Sequence, residues 1–151
     1  MIQRIDDCAA RSLIAREILD TLPDWFGIPE STAEYVAGCA RLPVWADAEG
    51  GALRGFIAMR PTSDYAAEIF VMGVKPEFHR LGVGRELFGA LRDEAKCQGL
   101  EYLHVKTVQT GKYEIYDRTN RFYRSLGFRE LECIPELWDA ANPCQLYIMK
   151  I

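Results

Sequence analysis

One stretch constrains this chain more than any other: Val74-Lys75-Pro76-Glu77-Phe78-His79-Arg80-Leu81-Gly82-Val83-Gly84-Arg85. It joins an apolar strand, Ile69 to Val74, to an amphipathic helix through a short glycine turn. Gly82 and Gly84 permit backbone dihedrals that other residues avoid and let the main chain approach a ligand closely. The helix beyond them directs free N–H groups and the positive end of its dipole at any anion held there. His79, Arg80, Leu81, Gly82, Val83, Gly84 and Arg85 therefore read as a pyrophosphate cradle.

Other glycine turns fit less well. A dinucleotide-binding loop reads G-x-G-x-x-G, with an acid about twenty residues further on. Here Leu87 stands where the third glycine belongs. A P-loop requires Gly-Lys-Ser/Thr, which this chain lacks. A plain strand-to-helix turn is the remaining alternative. The preceding strand and the two arginines weigh against it.

A length of 151 residues suits one domain with a real core and is short for two. Apolar residues at 49% and charged residues at 26% are those of a soluble globular protein. The 18 basic and 22 acidic residues give a net charge of −4, so a global basic footprint for nucleic acid is missing. A mildly acidic surface leans toward cationic acceptors. Cys8, Cys39, Cys97, Cys133 and Cys144 are scattered, with no C-x-x-C. That is the pattern of reduced, mostly buried thiols in the cytoplasm, not of a disulfide frame or zinc site. With His79 and His104 the only histidines, no metal is expected. Asp6 and Asp7 argue against a signal peptide, and no apolar run approaches the roughly 18 residues of a membrane span.

Along the chain, Met1 to Ile5 suits a short strand, and Asp6 or Asp7 caps a helix carrying Ala10, Ile14 and Ile18 with Leu13 and Leu22. Pro23 ends it. Ser31-Thr32-Ala33-Glu34 forms a capping box for a second helix with a stripe of Ala33, Val36, Ala37 and Ala40. Pro43 to Ala46 and Leu53 to Arg60 predict a hairpin turning at Glu49-Gly50-Gly51. Ala67 to Val74 is the next strand, and the helix after the glycine turn presents Val83, Leu87, Leu91 and Ala95 until Gly99. Leu103 and Val105 alternate with His104 and Lys106 in a further strand. Tyr113 to Leu126 is a fourth helix with Ile115, Thr119, Phe122 and Leu126 on one stripe, closed by Gly127. Phe128 to Ile134 and Cys144 to Ile151 are the last strands, joined by Pro135 to Pro143. The order β-α-α-β-β-β-α-β-α-β-β predicts an α/β (α+β) domain over 1–151, a central mixed, mostly antiparallel sheet flanked by about four helices.

The cradle, written X-x-x-G-x-G with Arg80 and Arg85 around it, resembles the acetyl-CoA signature of the GCN5-related N-acetyltransferases (GNAT). That family usually has Gln or Arg in the first position, where this chain has His79. The element order is also similar to the family's, from Met1 to Ile151. A second match is Tyr123-Arg124-Ser125-Leu126-Gly127-Phe128, against the family's tyrosine, three residues, then Gly-Phe.

The resemblance implies an acetyl-CoA-dependent acyltransferase, with donor and amine acceptor bound together and no metal. It places Met72, Gly73 and Val74 against the pantetheine arm and the thioester oxygen, through backbone N–H groups of a bulged strand; Gly73 suits a bulge or a close backbone approach. His79 to Arg85 would hold the pyrophosphate, Arg80 and Arg85 being its side-chain partners unless they are surface charges. An imidazole at His79 can still donate to phosphate. Tyr123 matches the tyrosine that protonates the departing thiolate, or else packs through its ring. Glu68, fourteen positions before Gly82, matches the general base of the histone-acetyltransferase branch, usually acting through water; the alternative is an ion pair at a strand edge. Tyr116 replaces a frequent asparagine seven residues before the tyrosine.

The turn between the first two helices would line the acceptor pocket, putting Trp25, Phe26 and Glu30 there beside Asp24. Aromatics beside acids suit a cation with an apolar stem, yet Trp25 and Phe26 could equally staple the helices to the sheet. The expected acceptor is an amine-bearing molecule, small rather than protein, with neither nucleic acid nor membrane as partner. Homodimers are frequent in the family. A non-catalytic CoA-binding sensor or structural module is the rival, and the retention of Glu68 and Tyr123 speaks against it.

Overall fold

Alternating apolar residues in the middle of the chain build the sheet that positions everything else. In the computed structural model, which describes residues 1–151, the elements are β1 (Ile2–Ile5), α1 (Cys8–Leu19), α2 (Pro29–Cys39), β2 (Val44–Glu49), β3 (Ala52–Pro61), β4 (Ala66–Val74), α3 (Val83–Cys97), β5 (Tyr102–Val108), α4 (Glu114–Leu126), β6 (Arg129–Asp139) and β7 (Asn142–Lys150). The strands form one sheet in the order β1-β2-β3-β4-β5-β7-β6. All neighbours are antiparallel except β4 and β5, which α3 links as a parallel pair. This is the mixed, mostly antiparallel sheet with four helices that the element order predicts.

Each face of the sheet is covered by two helices. On one, Ala15, Ile18, Leu19 and Leu22 of α1 and the turn after it meet Val44, Phe56, Ala58 and Val71. On the other, Leu87, Leu91 and Ala95 of α3 and Tyr123 of α4 meet Ile57, Met59, Ile69, Leu103 and Tyr147. Strand β4 changes phase between the layers. Its register with β3 slips from Met59↔Ile69 to Ala58↔Val71, leaving Phe70 as an extra residue. Ile69 therefore faces α3, while Val71 faces α1. The bulge sits at Phe70 and not at Gly73. Gly73 serves the close approach instead: a Cβ there would lie 2.9 Å from Ile18 Cγ2 and 3.0 Å from Leu22 Cδ1.

Three local expectations change. Helix α2 begins at Pro29, the first-turn position proline favours, so Ser31 lies inside the helix and caps nothing. The covered stripe is accordingly Thr32, Tyr35, Val36 and Cys39 rather than Ala33, Val36, Ala37 and Ala40. In α4 the buried residues are Asn120 and Tyr123, because Asn120 has partners on β5 and β7 that periodicity does not show. The last two strands run on through most of Pro135 to Pro143 as a long hairpin, with Pro135 tolerated because β6 is an edge strand. Cys39 and Cys144 are buried and Cys133 half-buried, whereas Cys8 and Cys97 are exposed, and all five are free thiols. No helix is long and apolar enough to cross a membrane.

Asp47 anchors the β2–β3 hairpin. Fully buried, it accepts hydrogen bonds from Arg54 Nε at 2.6 Å and from the Met1 ammonium at 2.7 Å. Burial alone would raise its pKa; these bonds outweigh burial and hold it below the ordinary value. The unfolded carboxyl titrates near 3.9, so the stabilisation is present above that pH and is lost as pH falls through the lower folded value. Asp47→Asn is expected to lower the melting temperature at pH 7, the gap narrowing only below about pH 4 and closing once pH has fallen through the lower folded value. Thermal denaturation across pH checks this, and a gap that persists in acid would assign the loss to packing.

Candidate active site

Strands β4 and β5 pair only at Ala66↔Tyr102, Ala67↔Leu103 and Glu68↔His104. Strand β5 stays paired with β7 over its whole length, so beyond Glu68 the sheet splits into a V. From Ile69 to Val74 one edge of β4 has no strand partner, and its backbone polar groups are left for a ligand. The V opens into a cleft of about 940 Å³ walled by β4 residues 69–74 and β5 residues 105–108. Met72, Gly73 and Val74 thus lie on the wall where the expected donor would run.

The glycine turn closes one end of this cleft. Gly82 caps α3 with φ +87°, and no side chain occupies the capping position, so the first-turn N–H groups of α3 lack a protein partner. Arg80 is also left-handed, φ +62°, the only residue other than glycine with a positive φ. Such strain is characteristic of ligand-gripping loops. His79, Arg80 and Gly84 reach the cleft wall, whereas Val83 is buried in the core and Leu81 points to solvent. Gly84 leaves room for a neighbour: a Cβ would meet the Phe122 ring at 3.1 Å. The His79 ring is turned inward, its Nε2 donating to the Val74 carbonyl at 2.7 Å, so the imidazole braces the loop. Arg85 bridges to α4, donating to Ser125 Oγ at 3.2 Å. Arg118 and Arg121 of α4 also line the cleft, which sequence reading did not anticipate because they fall off the apolar stripe.

Tyr123 is buried among Phe122, Phe128 and Tyr147 yet reaches the cleft wall. Burial, with smaller contributions from nearby Tyr35 and Glu68, pushes its hydroxyl well above the ordinary tyrosine pKa. The phenol keeps its proton at any working pH, and no side-chain hydrogen bond engages it. Beneath it Asn120 donates to the Val108 carbonyl at 2.8 Å and accepts from Tyr147 at 2.5 Å, fixing α4 against β5 and β7.

Glu68 stands at the hinge of the V. One carboxylate oxygen is held by Arg60, and the other accepts from Lys106 Nζ at 3.3 Å. Its side chain is 7% exposed and lies behind the cleft wall; that of Lys106 is 30% exposed and forms part of the wall. His104, directly opposite Glu68, has its pKa lowered, chiefly by burial.

The acceptor-side wall joins parts distant in sequence. Trp25 and Phe26 lie on it; Glu30, in the exposed first turn of α2, does not. Trp25 donates from Nε1 to Thr119 at 3.2 Å, its carbonyl accepts from Tyr116 at 3.2 Å, and its ring meets His79 edge-on at 6.1 Å. It is therefore both wall and staple, tying the α1–α2 turn to α4. Tyr35, Phe70 and the hairpin residues Leu137 and Trp138 complete the wall. Sequence reading missed these four; the pair Leu137-Trp138, which remains 47% and 45% exposed, was the available signal.

A family model described as an acetyltransferase (GNAT) domain matches residues 40–130. Solved structures are similar over nearly the whole chain. A protein assigned to the GNAT acetyltransferase family from Desulfovibrio desulfuricans superposes with a TM-score of 0.83 at 18% identity, covering 99% of each chain. An aminoglycoside 6'-N-acetyltransferase complexed with coenzyme A gives 0.76 at 20% identity, covering 99% of this chain and 96% of that one. The ribosomal-protein-S18-alanine N-acetyltransferase from Escherichia coli gives 0.77 at 19% identity, covering 100% and 94%. At such identities the likeness concerns the fold alone.

Proposed function

We propose that this chain, which belongs to the GNAT acetyltransferase family, transfers the acetyl group of acetyl-CoA to a primary amine bound beside it, as a single domain in a reducing cytoplasm. The observation that carries this reading is the cleft where β4 parts from β5, with an uncapped helix N-terminus at one end and Tyr123 on its wall. A bare edge can hydrogen-bond an extended amide-bearing arm, and first-turn N–H groups suit phosphate. In this assignment Met72, Gly73 and Val74 hold the arm, and residues 80–85 the pyrophosphate, with Arg80, Arg118 and Arg121 adding charge.

Transfer requires the amine nitrogen to form a bond to the thioester carbonyl carbon while the carbon–sulfur bond breaks, its electron pair leaving on sulfur. The amine gives up a proton and the sulfur takes one, yielding an acetamide and free thiol. Glu68, acting through water because Lys106 stands between it and the cleft, is assigned the first proton. Tyr123, kept protonated by burial, is assigned the second and recovers its proton from solvent. A binding module without turnover has no use for a proton donor at that point, and this favours the enzyme.

The test is a screen of amines that follows free thiol released from acetyl-CoA. Tyr123→Phe keeps the ring and its packing and is expected to lower kcat by about 10–10³-fold with acetyl-CoA affinity intact. A thiol with pKa near 8.5 leaves tolerably without assistance, which places the effect at the lower end for a general acid. An unchanged kcat would make Tyr123 a packing residue.

A further inference from the structure

Resting on the transferase reading above, we propose that the acceptor is an amine that also carries a carboxylate, on an apolar or aromatic body, and that Lys106 is the residue that selects it. The alternation of β5 sets the direction of the lysine. Leu103 and Val105 belong to the core beneath α3 and α4, so His104 and Lys106 point to the opposite face, toward α1, α2 and the acceptor-side wall. Arg80 stands at the glycine turn and Arg118 and Arg121 on α4, whereas Lys106 is the cation that the sheet itself contributes to the cleft.

Charge counting then decides its role. Arg60 and Lys106 share the single carboxylate of Glu68, and burial favours neutral His104. The cluster is left with one positive charge in excess, and its member that lines the cleft is Lys106, not Glu68. The cleft wall carries one acidic residue, Asp139. Its carboxylate is turned into the hairpin turn, where Oδ1 accepts from the Ala141 and Asn142 backbone at 3.0 Å and the Asn142 amide donates to both oxygens. With Arg80, Lys106, Arg118 and Arg121 on the wall against this one carboxylate, the lining is net positive, which disfavours the second ammonium of a polyamine or an aminoglycoside. A partly desolvated lysine beside Phe26, Tyr35, Phe70 and Trp138 suits the carboxylate of an aromatic or aliphatic amino acid. The surface-charge lean toward cationic acceptors is reversed at the cleft itself.

Matched acceptors test this: L-phenylalanine against phenethylamine, with spermidine and kanamycin as polycations, each assayed for thiol release from acetyl-CoA. The carboxylated partner is expected to have the higher kcat/KM, and Lys106→Gln to reduce the phenylalanine-to-phenethylamine ratio by about 10–100-fold, the contribution of one hydrogen bond to a charged group. Lys106→Glu should invert the preference. Acetyl-CoA affinity by calorimetry reports whether each variant is folded. Turnover of polycations in preference to phenylalanine, or a ratio indifferent to Lys106, overturns the proposal and leaves acetyl transfer standing. Failure of every amine in a broad screen to raise thiol release above the amine-free background would instead sink the transferase reading. Binding of phenylalanine and phenethylamine, followed by tryptophan fluorescence, then still decides: binding of phenylalanine that Lys106→Gln weakens upholds the lysine's role, and equal binding of the two amines refutes it.

Discussion

Gly82→Val is expected to leave the protein folded and to weaken acetyl-CoA binding by about 100-fold or more. A Cβ at Gly82 meets nothing within 4 Å, so no core contact is threatened. The difficulty is conformational, since φ is +87° there and a β-branched residue resists that region. If the loop holds its shape, the isopropyl group stands over the first-turn N–H groups of α3. If the loop relaxes, those groups turn away from the cleft. Either way one or more charge-assisted hydrogen bonds is lost, each of about 1.5–3 kcal/mol. Calorimetry on a variant with the parent's circular dichroism checks the prediction, and an unchanged affinity would remove residues 80–85 from the donor site.

Glu68→Gln is expected to reduce turnover by about 10²–10⁴-fold, most severely at low pH. An alkyl ammonium titrates near 10.4, so at neutral pH roughly one acceptor in a thousand is free base. Without a carboxylate to receive the proton, the rate should follow that fraction and rise about tenfold per pH unit until other groups titrate. The pairing with Arg60 and Lys106 provides a competing account, in which Glu68 merely holds the lysine in place. A complete pH–rate profile separates the two. A profile that keeps the parent's shape while the acceptor KM rises would make Glu68 an anchor.

The glycine-turn end of the cleft, the proposed donor site, was legible because it is written in consecutive residues. A strand, two glycines and a helix start lie within 69–85, and glycine marks the left-handed cap directly. Tyr123 came from the resemblance of Tyr123 to Phe128 to the family's pattern of tyrosine, three residues and Gly-Phe. The acceptor side was much less legible, because Phe26, Tyr35, Phe70, Lys106 and Trp138 become neighbours only once the sheet has formed. Periodicity also misled where a polar residue is buried by a distant partner. Asn120 counts as solvent-facing until Tyr147 and the Val108 carbonyl are in place. Prolines at 135 and 143 suggested a loop, but Pro135 lies in the edge strand β6 and Pro143 at the second residue of β7, beside the hairpin turn. At His79 the residue type indicated a phosphate donor, while the loop it sits in uses the ring to hold its own base.

The extra residue at Phe70 gives β4 a property akin to a reading frame. Upstream of it, Ala67 and Ile69 address the α3 layer; downstream, Met72 and Val74 do so, a shift from odd to even positions. Deleting Met72 or Gly73 while the extra residue stays is therefore a change of address as well as of length, whereas deleting Phe70 itself removes the bulge and leaves the downstream faces as they are. Side chains after a deletion of the first kind would exchange layers, bringing larger groups to the spot where Gly73 now admits Ile18 and Leu22. Single substitutions along this strand act locally, whereas an insertion or deletion beyond the bulge rewrites both cores at once.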